Sequence, residues 1–326
     1  MLAARDDEDD GGRTVLTLDA GAVARALPYR ALIDALDAAF RSDVVVPVRA
    51  HHEIALPEGA PATLLLMPAW ESGTSIGVKI ATVFPDNAAR SLPAVFATYV
   101  LLDGETGAPQ AILDGTELTL RRTACASALA SSYLSRRDAA TLAMIGTGNL
   151  APHLVAAHAT ARDIGRVIVW GRRAEAADAL VNRLQDAEFE VTVAEEISDA
   201  VAEADIVSCA TLATRPLVKG EWLRPGQHLD LVGAFRPDMA EADSDALARA
   251  DVYVDTREGA FAEAGEIVQA FESGALRKKD VIGELRDLAT GAVHGRRDDE
   301  RITVFKSVGT GLEDLAAAAL AMRSTG

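Results

Sequence analysis

The chain is poor in several residue types, and each shortage excludes something. Two cysteines, Cys125 and Cys209, stand among 326 residues. They are too few and too far apart in sequence for a disulfide framework, so residence in a reducing cytoplasm is expected. No apolar run reaches the ~20 residues that span a bilayer, and no leader-like segment opens the sequence, so no membrane association is expected. Basic residues are in deficit: 32 Lys and Arg face 49 Asp and Glu, a formal net charge of −17. Nucleic acid and anionic membrane surfaces are thereby excluded as partners, since both demand a basic face. His153 and His158 lie five apart, off any shared helical face, and no Cys or His cluster accompanies them, so no metal is expected. Lysine is scarce too, with only Lys79, Lys219, Lys278, Lys279 and Lys306 in the chain. A lysine inside an apolar strand is therefore conspicuous, and Lys79 is that residue.

What is present points to two cores. Hydrophobic residues make up 49% of the chain, and its length exceeds what one compact core usually holds. Residues 1–13 carry an acidic run without apolar anchors and are expected to be a disordered tail. After it, a strand at 14–18 and a helix at 29–41 open a small mixed domain. The β-rich runs 44–48, 62–67, 77–84, 94–102 and 109–113 follow, separated by turn signals, and predict a largely antiparallel sheet. An Ala- and Ser-rich helix over 117–134 leads into the second half, where strands at 141–146, 166–170, 189–193, 205–209, 228–232 and 251–254 alternate with helices. That alternation predicts a parallel, doubly wound sheet. A strand at 301–306 and a helix at 311–321 are expected to return to the first domain. The resulting division is 14–122 with 301–326 for one domain and 123–300 for the other.

The stretch Thr141–Arg173 carries the clearest chemistry. Gly146-Thr147-Gly148-Asn149-Leu150-Ala151 lies between two short apolar runs, the order strand, glycine loop, helix, strand. Gly146 permits a tight turn, Gly148 lets backbone approach a pyrophosphate, and the helix start offers unpaired N–H groups to an anion. Ala151 replaces a third glycine, where only close packing is at stake. The second strand ends in Trp170-Gly171-Arg172-Arg173, with no carboxylate until Glu175. An acid there would accept from an adenosine ribose 2′-OH, whereas two arginines suit a 2′-phosphate, so NADPH is expected over NADH.

Three further cations lie in or beside apolar segments. Arg49 follows Val-Val-Val-Pro-Val, Lys79 sits within Gly-Val-Lys-Ile-Ala, and Arg122 lies in Leu-Arg-Arg-Thr-Ala. An unpaired buried charge is costly unless an anion meets it, so these three are the candidate catalytic and substrate-gripping residues. The arginines can each hold a carboxylate through two hydrogen bonds, and Lys79 is the better acid–base candidate. Pairing of Lys79 with an internal acid is the structural alternative.

These segments coincide with one known pattern. Pro47-Val-Arg49, Met67-Pro-Ala-Trp70, Val78-Lys79-Ile80, Pro85-Asp-Asn87, Leu120-Arg-Arg122-Thr123-Ala124, Ile145-Gly-Thr-Gly148, Thr211-Leu-Ala-Thr-Arg-Pro216, Val232-Gly-Ala-Phe-Arg-Pro-Asp238 and Thr303-Val-Phe-Lys-Ser-Val-Gly309 occur in this order. With them the chain resembles the ornithine cyclodeaminase and mu-crystallin family along nearly all its length after the acidic tail. The resemblance implies an α/β fold in which a Rossmann-type doubly wound sheet is joined to a discontinuous α+β substrate-binding and dimerisation domain. It implies a homodimer as well. By position it puts substrate-carboxylate binding on Arg49, Lys79 and Arg122. Cofactor contacts fall on Gly148, Asn149, Leu150, Arg172, Arg173, Thr211, Val232 and Ser307, with Gly146, Thr147, Leu212 and Thr123 completing the expected set.

Two departures bear on the reaction. Where cyclodeaminases of this family place a catalytic Asp, this chain has Phe235, and Ala94 stands where their pattern has a Thr near substrate. With the arginine-rich strand end, these resemble the NADPH-using, ketimine-reducing side of the family. The resemblance therefore implies reduction of small cyclic or linear imino acids. An ornithine or lysine cyclodeaminase, an alanine-type dehydrogenase using NAD, and a non-catalytic NADPH-binding protein are the alternatives.

Overall fold

The computed structural model describes residues 15–325, so the acidic run at 1–13 lies outside the described residues. The first sheet holds six strands: β1 (Leu16–Leu18), β2 (Ala50–Ile54), β3 (Ala62–Glu71), β4 (Ser75–Val83), β5 (Val95–Asp103) and β6 (Pro109–Asp114). Their spatial order is β1-β6-β5-β4-β3-β2, antiparallel throughout except that β1 runs parallel to β6. Local chemistry makes the turns. Gly73 takes a positive φ between β3 and β4, and between β5 and β6 the Asp103 carboxylate accepts from Glu105 N, Thr106 N and the Thr106 hydroxyl, the side chain mimicking a backbone turn.

The second sheet has eight parallel strands: β7 (Thr141–Ile145), β8 (Arg166–Trp170), β9 (Glu190–Val193), β10 (Ile206–Cys209), β11 (His228–Leu231), β12 (Asp251–Val254), β13 (Val281–Glu284) and β14 (Thr303–Lys306). Their order is β13-β12-β14-β11-β10-β7-β8-β9. The chain winds outward from β7 in one direction and from β10 in the other. The crevice beyond the carboxyl ends of β7 and β10 is thus the switch point where such sheets bind ligands. Both faces of this sheet are covered by apolar clusters, which is why its strands read as continuous hydrophobic runs.

One long helix, Gly115–Leu134, joins the two halves. Asp114 caps it, its side chain accepting from Glu117 N at 2.7 Å, and its Ala- and Ser-rich faces are buried along most of its length. Small side chains let it lie close to the helix Ala151–Ala161 and to the C-terminal helix Gly311–Thr325.

Three sequence expectations need correction. Residues 301–326 do not belong together to the first domain: β14 inserts between β11 and β12 of the parallel sheet, and only the helix after it packs against β3, β4 and β5. The apolar run 44–48 makes a single bridge, Val45 to Trp70, because Pro47 has no N–H to extend a ladder; the strand starts at Ala50 instead. β13 was not anticipated, since a four-residue strand containing Gly283 carries almost no periodic signal.

Candidate active site

The glycine loop after β7 opens on the switch-point crevice. Gly146 has φ +119°, and a Cβ there would lie 2.5 Å from the Ala210 carbonyl oxygen, so only glycine fits. A Cβ at Gly148 would meet nothing within 4 Å. That backbone faces open space, as a site for close approach of a ligand requires. The helix Ala151–Ala161 then begins with no side-chain cap at Leu150 and with Pro152 in its first turn, leaving its N-terminal N–H groups available to an anion. Ala151 is fully buried in the core, in keeping with a packing role at the third position of the motif.

A cavity of about 610 Å³ lies over this loop. Every residue that the sequence assigned to the cofactor lines it: Gly146 to Leu150, Thr123, Arg172, Arg173, Thr211, Leu212, Val232 and Ser307. Arg172 and Arg173 are exposed at its β8 end, with no carboxylate among the lining residues. The donor set fits a dinucleotide, with backbone N–H groups for the pyrophosphate and two guanidinium groups for further phosphate. Arg122 and Phe235 line the same cavity. Phe235 is 47% exposed, whereas Asp238, the next carboxylate along, is held by Arg236 at 2.9 Å on the surface.

Of the other two cations, neither borders this cavity. Arg49 lines a smaller adjoining one of about 240 Å³, with Met67, Pro68 and Glu263. Lys79 is buried on β4, opposite Met67 of β3 and Tyr99 of β5. Gly309 is where they meet. It borders both cavities, its carbonyl accepts from Arg49 Nη2 at 3.0 Å, and a Cβ on it would lie 2.5 Å from Arg122 Nη1. Its φ of +82° lets the backbone fold over the guanidinium.

Lys79 and Arg122 are not waiting for an external anion alone. The C-terminal helix brings two buried acids beneath them. Lys79 Nζ lies 2.7 Å from Asp314 Oδ2, Arg122 Nε 2.9 Å from Asp314 Oδ1, and Arg122 Nη1 2.5 Å from Glu313 Oε2. The internal-acid alternative for Lys79 is therefore realised, together with its place beside other cations. Burial, with Arg122 and Arg49 nearby and Asp314 opposing, lowers the Lys79 pKa to about 8. Burial also pushes Glu313 up to about 7, against the pull of Arg122.

Two more buried carboxylates shape the cavity wall. Glu241 accepts from Thr211 N at 2.5 Å and Gly233 N at 2.6 Å, tying together two loops that line the cavity. Burial raises it to about 7, against the pull of Lys306. Asp255 accepts from Val308 N and Gly309 N at 2.8 and 2.7 Å and so fixes the turn carrying Gly309.

None of these four acids was picked out from the sequence. Glu313 and Asp314 open an Ala-rich helix, where acids suit the helix dipole and signal nothing else. Glu241 and Asp255 sit in loops of a chain with 49 acidic residues.

Compared with known proteins, residues 15–324 match the family model described as the ornithine cyclodeaminase/mu-crystallin family. A Delta(1)-pyrroline-2-carboxylate reductase of Paracoccus denitrificans is 40% identical over 262 residues, 80% of this chain and 83% of that protein. The solved Delta(1)-pyrroline-2-carboxylate reductase of Thermococcus litoralis, in complex with NADH and L-proline, superposes with a TM-score of 0.90 at 30% identity, covering 95% of this chain and 97% of that one. An archaeal alanine dehydrogenase dimer with bound NAD gives a TM-score of 0.87 at 30% identity, over 95% and 96% of the two chains.

Proposed function

The chain belongs to the ornithine cyclodeaminase/mu-crystallin family, and we propose that within it the protein is an NADPH-dependent reductase of small cyclic or linear imino acids. Δ1-Pyrroline-2-carboxylate and Δ1-piperideine-2-carboxylate, giving proline and pipecolate, are its substrate type. The observation that carries this reading is the single cavity shared by the glycine loop, the Arg172–Arg173 pair and Arg122. Relatives named for the reduction of Delta(1)-pyrroline-2-carboxylate support it.

A bound nicotinamide dinucleotide supplies the hydride for the imine carbon. The loop Gly146 to Leu150 and the helix behind it hold its pyrophosphate, and Arg172 and Arg173 select a 2′-phosphate. Arg122, backed by Arg49 and Lys79, draws the substrate carboxylate to the inner end of the cavity, where it fixes the imine. Lys79, with its pKa lowered to about 8, is suited to orient the substrate and to supply or relay the proton to the imine nitrogen. Phe235 forms an apolar wall against the ring. With Phe235 where a cyclodeaminase has its Asp, no carboxylate among the described residues lines this cavity to serve a deaminating step.

The working unit is a homodimer. Along β4, β5 and β6, Val78, Ile80, Phe96, Val100 and Ile112 alternate with the core residues and point to the other face of the sheet. Ile80, Phe96 and Ile112 are 37%, 46% and 41% exposed. A second copy covering this apolar face accounts for it.

The test is a spectrophotometric screen of NADPH oxidation against imino acids, 2-oxo acids with amines, and ornithine. Turnover of cyclic imino acids without ammonia release from ornithine is expected. Ammonia and proline formed from ornithine with catalytic NAD would overturn the assignment.

A further inference from the structure

The acids at the start of the C-terminal helix divide their work unequally. Asp314 uses one oxygen for Lys79 and the other for Arg122. Glu313 uses only Oε2, on Arg122, while its Oε1 is buried without a hydrogen-bond partner among the described residues. A buried carboxylate with one bare oxygen is costly while charged. It is tolerated here because Arg122 is beside it.

Charge counting shows what an incoming anion meets. With Glu313 and Asp314 both ionised, Lys79 and Arg122 are fully neutralised. Arg49, the remaining cation nearby, is already paired with Glu263 at 3.4 Å, so a substrate carboxylate drawn to Arg122 would add an unbalanced negative charge to a buried cluster. We propose that Glu313 takes up a proton from solvent, on Oε1, when an anionic carboxylate binds beside Arg122, so that substrate binding is coupled to protonation of this buried acid. Glu313 is a positioning residue in this scheme: its neutralisation releases part of the Arg122 charge for the substrate. The proposal rests on the reading of the cavity as an imino-acid site.

The groups facing Glu313 agree with this role. Arg122 approaches from the long helix, Asp314 is its neighbour, Asp255 follows β12, and Lys79 on β4 is reached through Asp314. Tyr99 on β5 is neutral, its hydroxyl buried and its pKa raised. A ligand carboxylate would make a third anion beside Asp314 and Asp255. Burial holds Glu313 at about 7 before any ligand arrives, within reach of protonation near neutrality.

Calorimetry decides it. The NADPH-loaded protein is titrated near neutral pH with pyrrole-2-carboxylate, a planar anion that cannot be reduced, in two buffers of different ionisation enthalpy. Wild-type protein should take up about half a proton per ligand at neutral pH, where Glu313 at about 7 is already half protonated, rising towards one above it, with affinity falling by up to roughly tenfold per pH unit above neutrality. Glu313→Gln, permanently neutral, should bind with no uptake near neutral pH and with flat affinity there. Uptake by Lys79 would persist in that variant and sit at more alkaline pH. Wild-type binding without buffer-dependent heat overturns the coupling, and needs no variant to show it. Unchanged uptake in Glu313→Gln overturns it too. Failure of pyrrole-2-carboxylate to bind protein that does bind NADPH removes the imino-acid reading itself, and the coupling with it.

Discussion

Lys79 and Arg122 share one carboxylate: the lysine ammonium lies 2.7 Å from Oδ2 of Asp314 and the arginine Nε 2.9 Å from its Oδ1. All three side chains are buried, and they come from β4, the long helix and the C-terminal helix. The two chain regions that build the first domain are thus joined by charge as well as by apolar packing. Asp314→Ala should leave two buried cations short of an anion and destabilise the fold by roughly 3–5 kcal/mol. Urea unfolding of the NADPH-free protein measures it, and a loss under about 1 kcal/mol would mean that the pair is solvated after all.

Cofactor choice is proposed to depend on the β8 end. Arg172 and Arg173 are exposed and line the cavity, where a 2′-phosphate is proposed to lie between them. NADPH should bind better than NADH by roughly 10- to 100-fold, the scale of one or two charge-assisted hydrogen bonds. Arg172→Asp with Arg173→Ala should reverse the order. Equal affinities in the unmodified protein, measured by calorimetry, would defeat the expectation.

The parallel sheet was legible because its strands are buried on both faces and its glycine loop has a backbone requirement, seen at Gly146, that only one residue type meets. Of the cavity lining, Gly146 to Leu150, Arg172 and Arg173 followed from the same stretch, whereas Thr123, Thr211, Leu212, Val232 and Ser307 came from the family resemblance. β14 was assigned to the wrong sheet, since four buried residues carry no signal of which neighbours they pair with. The acids under Lys79 and Arg122 were hidden for a different reason. Asp314 lies 235 positions from Lys79 in sequence, and a carboxylate in the first turn of a helix has an adequate local explanation. Sequence showed that buried cations needed anions. It did not show that the protein supplies two of its own.

Gly309 is a place where one methyl group should matter. Its φ of +82° and the 2.5 Å that a Cβ would leave to Arg122 Nη1 mean that Gly309→Ala adds a contact to a backbone cost of roughly 1–2 kcal/mol. Gly73→Ala is the control, with φ +74° and nothing within 4 Å. Both should lose stability, but only Gly309→Ala should also raise KM for the imino acid by displacing the guanidinium. Equal KM values in the two variants would show that Arg122 is not where the substrate is held.

The apolar outer face of the first sheet should govern assembly. Ile80→Asp and Phe96→Asp each put a charge on a face that a second copy is proposed to cover. Sedimentation velocity should find the parent protein dimeric and the double variant monomeric or aggregated, with far-UV circular dichroism retained by any monomer. A parent protein that sediments as a monomer at micromolar concentration would leave that face without its proposed occupant.

Lys79 should separate activity from stability along the pH axis. Its folded pKa, about 8, lies below its ordinary value of 10.5. Below about 8 it is charged in both folded and unfolded chains, and the full cost of burying the charge is present. Between about 8 and 10.5 the unfolded chain holds the proton and the folded one does not, so this group's contribution to stability improves as pH rises. Catalysis should respond in the opposite sense, because a neutral amine neither attracts the substrate carboxylate nor offers a proton. Beyond the fall that Glu313 imposes above neutrality, kcat/KM is expected to fall further above about 8 while the fold, judged by urea midpoint, does not weaken through this group. In a Glu313→Gln background the fall should report Lys79 alone. Lys79→Met should abolish that limb and lower kcat by on the order of 10²–10⁴ if the ammonium relays the proton, or raise KM alone if it only holds the carboxylate. A Lys79→Met protein with unaltered kcat, KM and pH profile would remove this lysine from the reaction.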